Sequence, residues 1–236
     1  MTGPRFAFKF STAAWLALAA LALYIVLWVG HRQQWGWLEA FDWSLLNPAH
    51  DIGIKHSGWV RFWVIVSFVL GPVPLRTLGL VLSVILLVRR RMRMALLVLF
   101  CVTLNGFVTL VGKQLAGRPR PATALVFVGE TSFPSGHALE AMAAVPALLT
   151  LSLPLLSRRA LRVAATVVGG LCVFIVGVAR VALNVHHPSD VIAGWALGYV
   201  YFLLCLWVFR PAPAGPEDQA GSRPRDPTGS QALLDP

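Results

Sequence analysis

"RVAATVVGGLCVFIVGVARVALNVHHPSDVIAGWALGYVYFLLCLWVF", residues 162–209, is two long apolar runs joined by a short polar knot, "NVHHPSD" at 184–190. A helix rising 1.5 Å per residue needs roughly 20 mainly apolar residues to cross a hydrocarbon layer about 30 Å thick. Both runs meet that requirement, near 162–180 and 190–209. The pattern is that of a chain that crosses a bilayer, turns at its surface and crosses back.

Moving outward from this pair, further apolar runs lie near 136–155, 94–113, 72–88 and 12–30. Basic clusters separate them: "RRRMR" at 89–93, "SRRALR" at 157–162, Arg210 after the last run, and Arg5 and Lys9 before the first. If every cluster is cytoplasmic, the spans are even in number and both termini lie inside. The expectation is therefore an all-α, six-transmembrane-helix bundle over residues 1–210, in the plasma or inner membrane. The first run, "AAWLALAALALYIVLWVG" (13–30), is long for a signal peptide and is followed by "HRQQW", not a small-residue cleavage site. It reads as a retained span.

Segment 58–72, "GWVRFWVIVSFVLGP", is apolar as well, but a seventh span there would break the charge parity. It is expected as an outer-face interfacial or partly inserted helical segment. Trp35, Trp37, Trp43, Trp59 and Trp63 fit an aromatic belt at that boundary. Residues 211–236 are rich in Pro, Gly and charge, without apolar periodicity, and are expected as a disordered cytoplasmic tail.

Composition agrees with this division. Of 236 residues, 57% are hydrophobic and only 13% charged, far from the quarter or so typical of soluble domains. The net charge of +10 falls in clusters between apolar runs, which argues against a nucleic-acid-binding face. Cys101, Cys172 and Cys205 lie inside apolar stretches, with spacing that fits neither a disulfide framework nor a metal pair. Gly194 and Gly198 have the small-xxx-small spacing of close helix packing.

Three polar patches fall on one side, the outer one: "KQLAGRPRP" (113–121), "PSGH" (134–137) and "ARVALNVHHPSD" (179–190). Lys113, Arg118, Arg120 and Arg180 place fixed positive charge where the positive-inside bias disfavours it, which suits an anion site. Pro134-Ser135-Gly136 stands where a helix begins, and unpaired first-turn amides cradle phosphate. Gly136 permits close backbone approach, Ser135 adds a donor or simply caps the helix, and His137 projects from the first turn. In the third patch Pro188 suits a first helical turn and puts Asp190 within reach of His186. A carboxylate accepting from one ring nitrogen leaves the other basic, the orienting logic of nucleophile triads.

Together these patches resemble the type 2 phosphatidic acid phosphatases, the lipid phosphate phosphatases. That signature is Lys, six residues, Arg-Pro; then Pro-Ser-Gly-His; then Ser-Arg, five residues, His, three residues, Asp. Lys113 with Arg120-Pro121, Pro134–His137, and Arg180 with His186 and Asp190 match it; Ala179 stands where the family has Ser. The resemblance implies a lipid phosphatase acting on phosphatidic acid, phosphatidylglycerol phosphate or a polyprenyl (pyro)phosphate. Lys113, Arg120, Ser135, Gly136 and Arg180 would bind phosphate. His186, and not His187, would attack phosphorus to give a phosphohistidine, oriented by Asp190, while His137 serves as acid and then base. No cofactor or metal is implied.

Glu140, on the His137 face of its helix, is a possible modulator of that imidazole or a hydrated boundary carboxylate. His31, His50 and His56 are expected as surface residues, and His187 as a bystander at the rim. Phosphotransfer to another acceptor, metal-dependent hydrolysis through His137, His186, His187 and Asp190, and non-enzymatic lipid binding or transport are the competing readings.

Overall fold

The computed structural model describes residues 5–209 except residue 130, with side chains from Thr12 onward; the tail expected at 211–236 lies outside the described residues. Its regular elements are helices, with one isolated antiparallel bridge between Pro119 and Thr131 among the described residues. Helix α1 spans Arg5–Arg32, α2 Gly36–Lys55, α3 Ser57–Val69, α4 Pro72–Val88 and α5 Met92–Val98. After a π-helical turn at Leu99–Thr103 follow α6 (Gly106–Ala116), α7 (Gly136–Ser152), α8 (Arg159–Ala182) and α9 (Pro188–Val208). Among the described residues six stretches are long and apolar enough to cross a membrane: Thr12–Arg32, Ser57–Val88, Met92–Ala116, Gly136–Leu155, Arg159–Ala182 and Pro188–Val208.

The six-span layout expected from the apolar runs is therefore present, with one boundary moved. The apolar helical stretch that holds the second expected span reaches back from residue 72 to Ser57, because α3 leads directly into α4 through a bend at Leu70-Gly71. Helix α3 runs alongside the end of α8. Trp59 Nε1 donates to the Ala182 carbonyl at 3.1 Å and Ser67 Oγ accepts from Arg180 Nη1 at 2.7 Å. Further along, Leu70 packs with Ala141, Val173 and Val176. Of the two readings open for 58–72, this descent along α8 supports insertion over a helix lying flat.

Helix α7 is the central staff. Ala138, Leu139, Ala141, Ala143, Ala144 and Ala147 are buried, so small side chains bring neighbouring helices close on several sides. Its most extensive partner is α9, where Gly194 and Gly198 face the backbone of α7. A Cβ on Gly194 would lie 2.6 Å from the Ser135 carbonyl, and one on Gly198 would press on that of Leu139. The small-residue pair thus serves packing within the bundle. Away from the polar patches, Leu97, Val98, Cys101 and Val102 close the core against Ala144, Ala147, Phe202 and Cys205. The cysteines are free and two of them buried.

Helix α2 packs on α8 and α9 where those helices meet, burying Leu38, Asp42 and Leu46 at four-residue intervals while its other faces stay largely exposed. No helix was expected over 36–55; the segment expected as interfacial or partly inserted, 58–72, is α3. The α8–α9 turn is pinned beneath α2. Asn184 adopts φ 53°, accepts from Thr123 Oγ1 at 2.8 Å and donates to the Leu46 carbonyl at 3.2 Å. Short polar residues tolerate that left-handed geometry best.

Candidate active site

The three polar patches meet where α6, α7, α8 and α9 have their ends. Helix α6 presents Lys113 in its last turn, and the following loop returns across the site carrying Arg118 and Arg120. The first turn of α7 is tied to the first turn of α9, with the Ser135 N–H donating to the Asp190 carbonyl at 2.9 Å. This join brings Ser135 and His137 up to His186 and Asp190 although some 50 residues separate them. His137 lies within electrostatic reach of Arg180, His186, Lys113 and Arg120. Its ring faces the α3–α4 bend, where a Cβ on Gly71 would be 3.3 Å from His137 Nε2.

The environment of His186 fixes its chemistry. The ring is 2% exposed, and Arg120 Nη1 stands 3.1 Å from Nε2. A guanidinium only donates, so Nε2 accepts and carries the lone pair, and the ring proton belongs on Nδ1. Nδ1 is 3.6 Å from Asp190 Oδ2, a little beyond hydrogen-bond length. Burial lowers the His186 pKa from 6.5 to about 3, opposed by the Asp190 carboxylate, so the imidazole is neutral at physiological pH.

Asp190 is shared more widely than its spacing suggested. Its Oδ2 accepts the His187 backbone N–H at 2.9 Å and faces His187 Nδ1 at 3.2 Å, a capping box at the start of α9. Its Oδ1 accepts from Arg118 Nη1 at 2.6 Å. His187 is therefore no rim bystander. It is buried, caps α9 and packs edge-on against Trp43 at 6.3 Å. His31 also departs from a surface role, its ring stacking on Phe133 at 6.2 Å.

The cations among the expected anion binders are together, each donating to an oxygen of the protein. Lys113 Nζ donates to the Thr131 carbonyl at 2.9 Å, Arg120 donates to the carbonyls of Gly129 and Val185, and Arg180 donates to Ser67. Burial lowers the Arg120 pKa, the cost of keeping a cation beside His186. The Ser135 hydroxyl is buried without a partner, as is Arg180 Nε. Ser135 stands at the N-cap of α7 but makes no side-chain cap bond, so the simple capping role does not hold and its hydroxyl is available to a ligand. Gly136 is demanded by packing: a Cβ there would come 2.8 Å from Thr109 Cγ2.

Glu140 differs from both readings of it. It is 4% exposed, and its two oxygens accept from Arg76 Nη2 at 2.7 Å and Nε at 3.0 Å. The carboxylate neutralises a cation on α4 and makes no hydrogen bond to His137 among the described residues. Arg118, grouped with the anion binders by its charge, is occupied by Asp42 and Asp190. Arg76, Asp42 and Ser189 were not singled out in the sequence. For Asp42 a signal existed, a lone carboxylate in the stripe Leu38–Asp42–Leu46. Among the described residues no three His, Cys, Asp or Glu side chains converge to hold a metal ion.

Comparison with known proteins places this arrangement. The chain superposes on the crystal structure of the first transmembrane PAP2 type phosphatidylglycerolphosphate phosphatase from Bacillus subtilis, with a TM-score of 0.71 over 81% of this chain and 94% of that one, at 22% identity. The fold is thus that of a transmembrane PAP2 protein. The PAP2 superfamily model matches residues 94–213, half of the chain, and the chain belongs to that superfamily. Phosphatidylglycerophosphatase B of Bacillus subtilis (strain 168) is 38% identical over 96 residues, 39% of this chain and 46% of the relative. The chain spans about half the length of the curated relative it matches.

Proposed function

We propose that this protein is a lipid phosphate phosphatase that cleaves a phosphomonoester headgroup through a phosphohistidine on His186, with phosphatidylglycerol phosphate the first substrate to test. The observation that carries the reading is the Arg120–His186 contact. It puts the nucleophile's lone pair and an anion-binding guanidinium at one point, so a phosphoryl oxygen drawn to Arg120 brings phosphorus to Nε2. The matched name of the Bacillus relative supports the substrate class.

The reaction follows from the groups present. Lys113, Arg120 and Arg180, with the Ser135 hydroxyl and the Gly136 amide, hold the phosphoryl oxygens and stabilise charge in the in-line transition state. His186 Nε2 forms a bond to phosphorus as the phosphorus–oxygen bond to the lipid breaks, and His137 gives its proton to the departing oxygen. Asp190 stabilises the proton on Nδ1. His137, now neutral, takes a proton from water as that water attacks phosphorus. The nitrogen–phosphorus bond breaks, returning neutral His186 and inorganic phosphate. The fixed cations supply the charge stabilisation, so turnover needs no metal.

The site faces the outer side of the membrane in this proposal. The basic loops at Arg89–Arg93 and Arg158–Arg162 lie at the far ends of the spans that carry the site, which supports that orientation. The test is phosphate release by the purified protein from phosphatidylglycerol phosphate, phosphatidic acid and polyprenyl phosphates, with excess chelator present. Turnover of at least one lipid is expected, lost in His186→Ala while that variant still folds in membranes. Release that survives in His186→Ala, or that stops with chelator, contradicts the mechanism.

A further inference from the structure

We propose that Asp42, on α2, is a positioning residue for His186, acting through Arg118 and Ser189 on the Asp190 carboxylate. The inference rests on His186 being the nucleophile. Asp42 is fully buried and accepts three hydrogen bonds. Oδ1 takes the Ser189 N–H at 2.9 Å, while Oδ2 takes the Ser189 hydroxyl at 2.7 Å and Arg118 Nη2 at 2.7 Å. The other arm of Arg118, Nη1, donates to Ser189 Oγ at 2.7 Å and to Asp190 Oδ1 at 2.6 Å. One guanidinium therefore joins two buried carboxylates, and every bond in the ring is satisfied.

A tether for α2 would need only one hydrogen bond. This arrangement has two consequences for the nucleophile. Ser189 is the second residue of α9, so Asp42 supplies from another helix the acceptor for an otherwise unpaired first-turn amide, fixing the turn that bears Asp190. It also divides the charge of Arg118. With two carboxylates on one cation, the cluster keeps a net negative charge, and Asp190 Oδ2 is the oxygen turned toward the two imidazoles. If Asp42 lost its charge, Arg118 would be neutralised by Asp190 alone. Asp190 would then be drawn toward Arg118, and the carboxylate that faces the Nδ1 proton of His186 from 3.6 Å would recede. The lone pair on Nε2 would then be held by Arg120 alone, and the preference for the Nδ1–H tautomer would weaken.

The cations that bind phosphate are not part of this ring, so substrate affinity and chemistry separate. In Asp42→Asn, kcat on short-chain phosphatidic acid in mixed micelles should fall about tenfold to a hundredfold, by analogy with the range for removing the hydrogen-bond partner that orients a metal-binding histidine. KM should stay within about twofold. The 15N shifts of histidine-labelled protein, assigned through His186→Asn, should show one Nδ1–H tautomer in the parent and a mixture in Asp42→Asn. The tautomer readout needs no turnover, so it judges Asp42 even if the chain hydrolyses no lipid phosphate, a result that would sink the nucleophile reading separately. If Asp42→Asn does not fold, Arg118→Lys, whose single ammonium cannot span both carboxylates, should give the same split. An unchanged tautomer, or a fall in kcat/KM that comes from KM, overturns the proposal.

Discussion

Two opposite demands meet on the imidazole of His186, which must offer a lone pair on one nitrogen and keep a proton on the other. Arg120 settles the first by donating toward Nε2, and Asp190 favours the second from beside Nδ1. The burial that makes this possible has a measurable consequence. The unfolded chain protonates this ring below about 6.5, the folded protein only below about 3. Between those values the unfolded state binds more protons, so stability declines as pH falls through that window. The unfolding temperature in detergent should drop from pH 7.5 to pH 5, and less steeply in His186→Gln; identical slopes would contradict a buried neutral ring. The spacing of His186 and Asp190 could be read directly because both belong to one helix start. Asp42 could not, since its bond to Arg118 joins residues 76 apart and no local pattern announces it.

Helix packing raises the same contrast. The apolar periods located all six spans, because membrane length is a local property of the chain. Whether α3 lies flat or is inserted is not a local property, since it depends on α8, through Trp59 and Ser67. Close approach of α7 and α9 rests on Gly194 and Gly198. Gly198→Ala adds a Cβ against the Leu139 carbonyl, a backbone atom that cannot swing aside. Overpacking of this kind costs about 1–3 kcal/mol and exceeds the roughly 1 kcal/mol that alanine returns in helix propensity. A lower unfolding temperature is expected; a higher one would show that the interface is not tight. Arg76→Gln strands Glu140 in the core, at a cost of about 3 kcal/mol, the low end for a buried pair because Arg76 is partly exposed. The double variant R76Q/E140Q should be the more stable of the two, and the reverse order in thermal unfolding would deny the pairing.

For the molecule in its membrane, the design is a bundle whose central helix and last helix are locked at their first turns, with Arg118 neutralised there by carboxylates and Lys113, Arg120 and Arg180 held by neutral oxygens. Three separate patches between residues 113 and 190 meet at one end of the bundle, as the order of the spans implied, while the carboxylates that partner Arg118 and Arg76 emerged only from the fold. Orientation is open to direct labelling. Single cysteines at Ala122–Gly129 should react with an impermeant reagent added outside cells, and those at Arg89–Arg93 should not; the opposite pattern would reverse the proposed topology. The most direct test of the central claim is to quench the protein during turnover of a lipid bearing a labelled phosphate and locate the label. The account predicts an acid-labile, nitrogen-linked phosphate on the peptide containing His186, absent from His186→Ala. Label on His137, or on an oxygen in an acid-stable linkage, would contradict it.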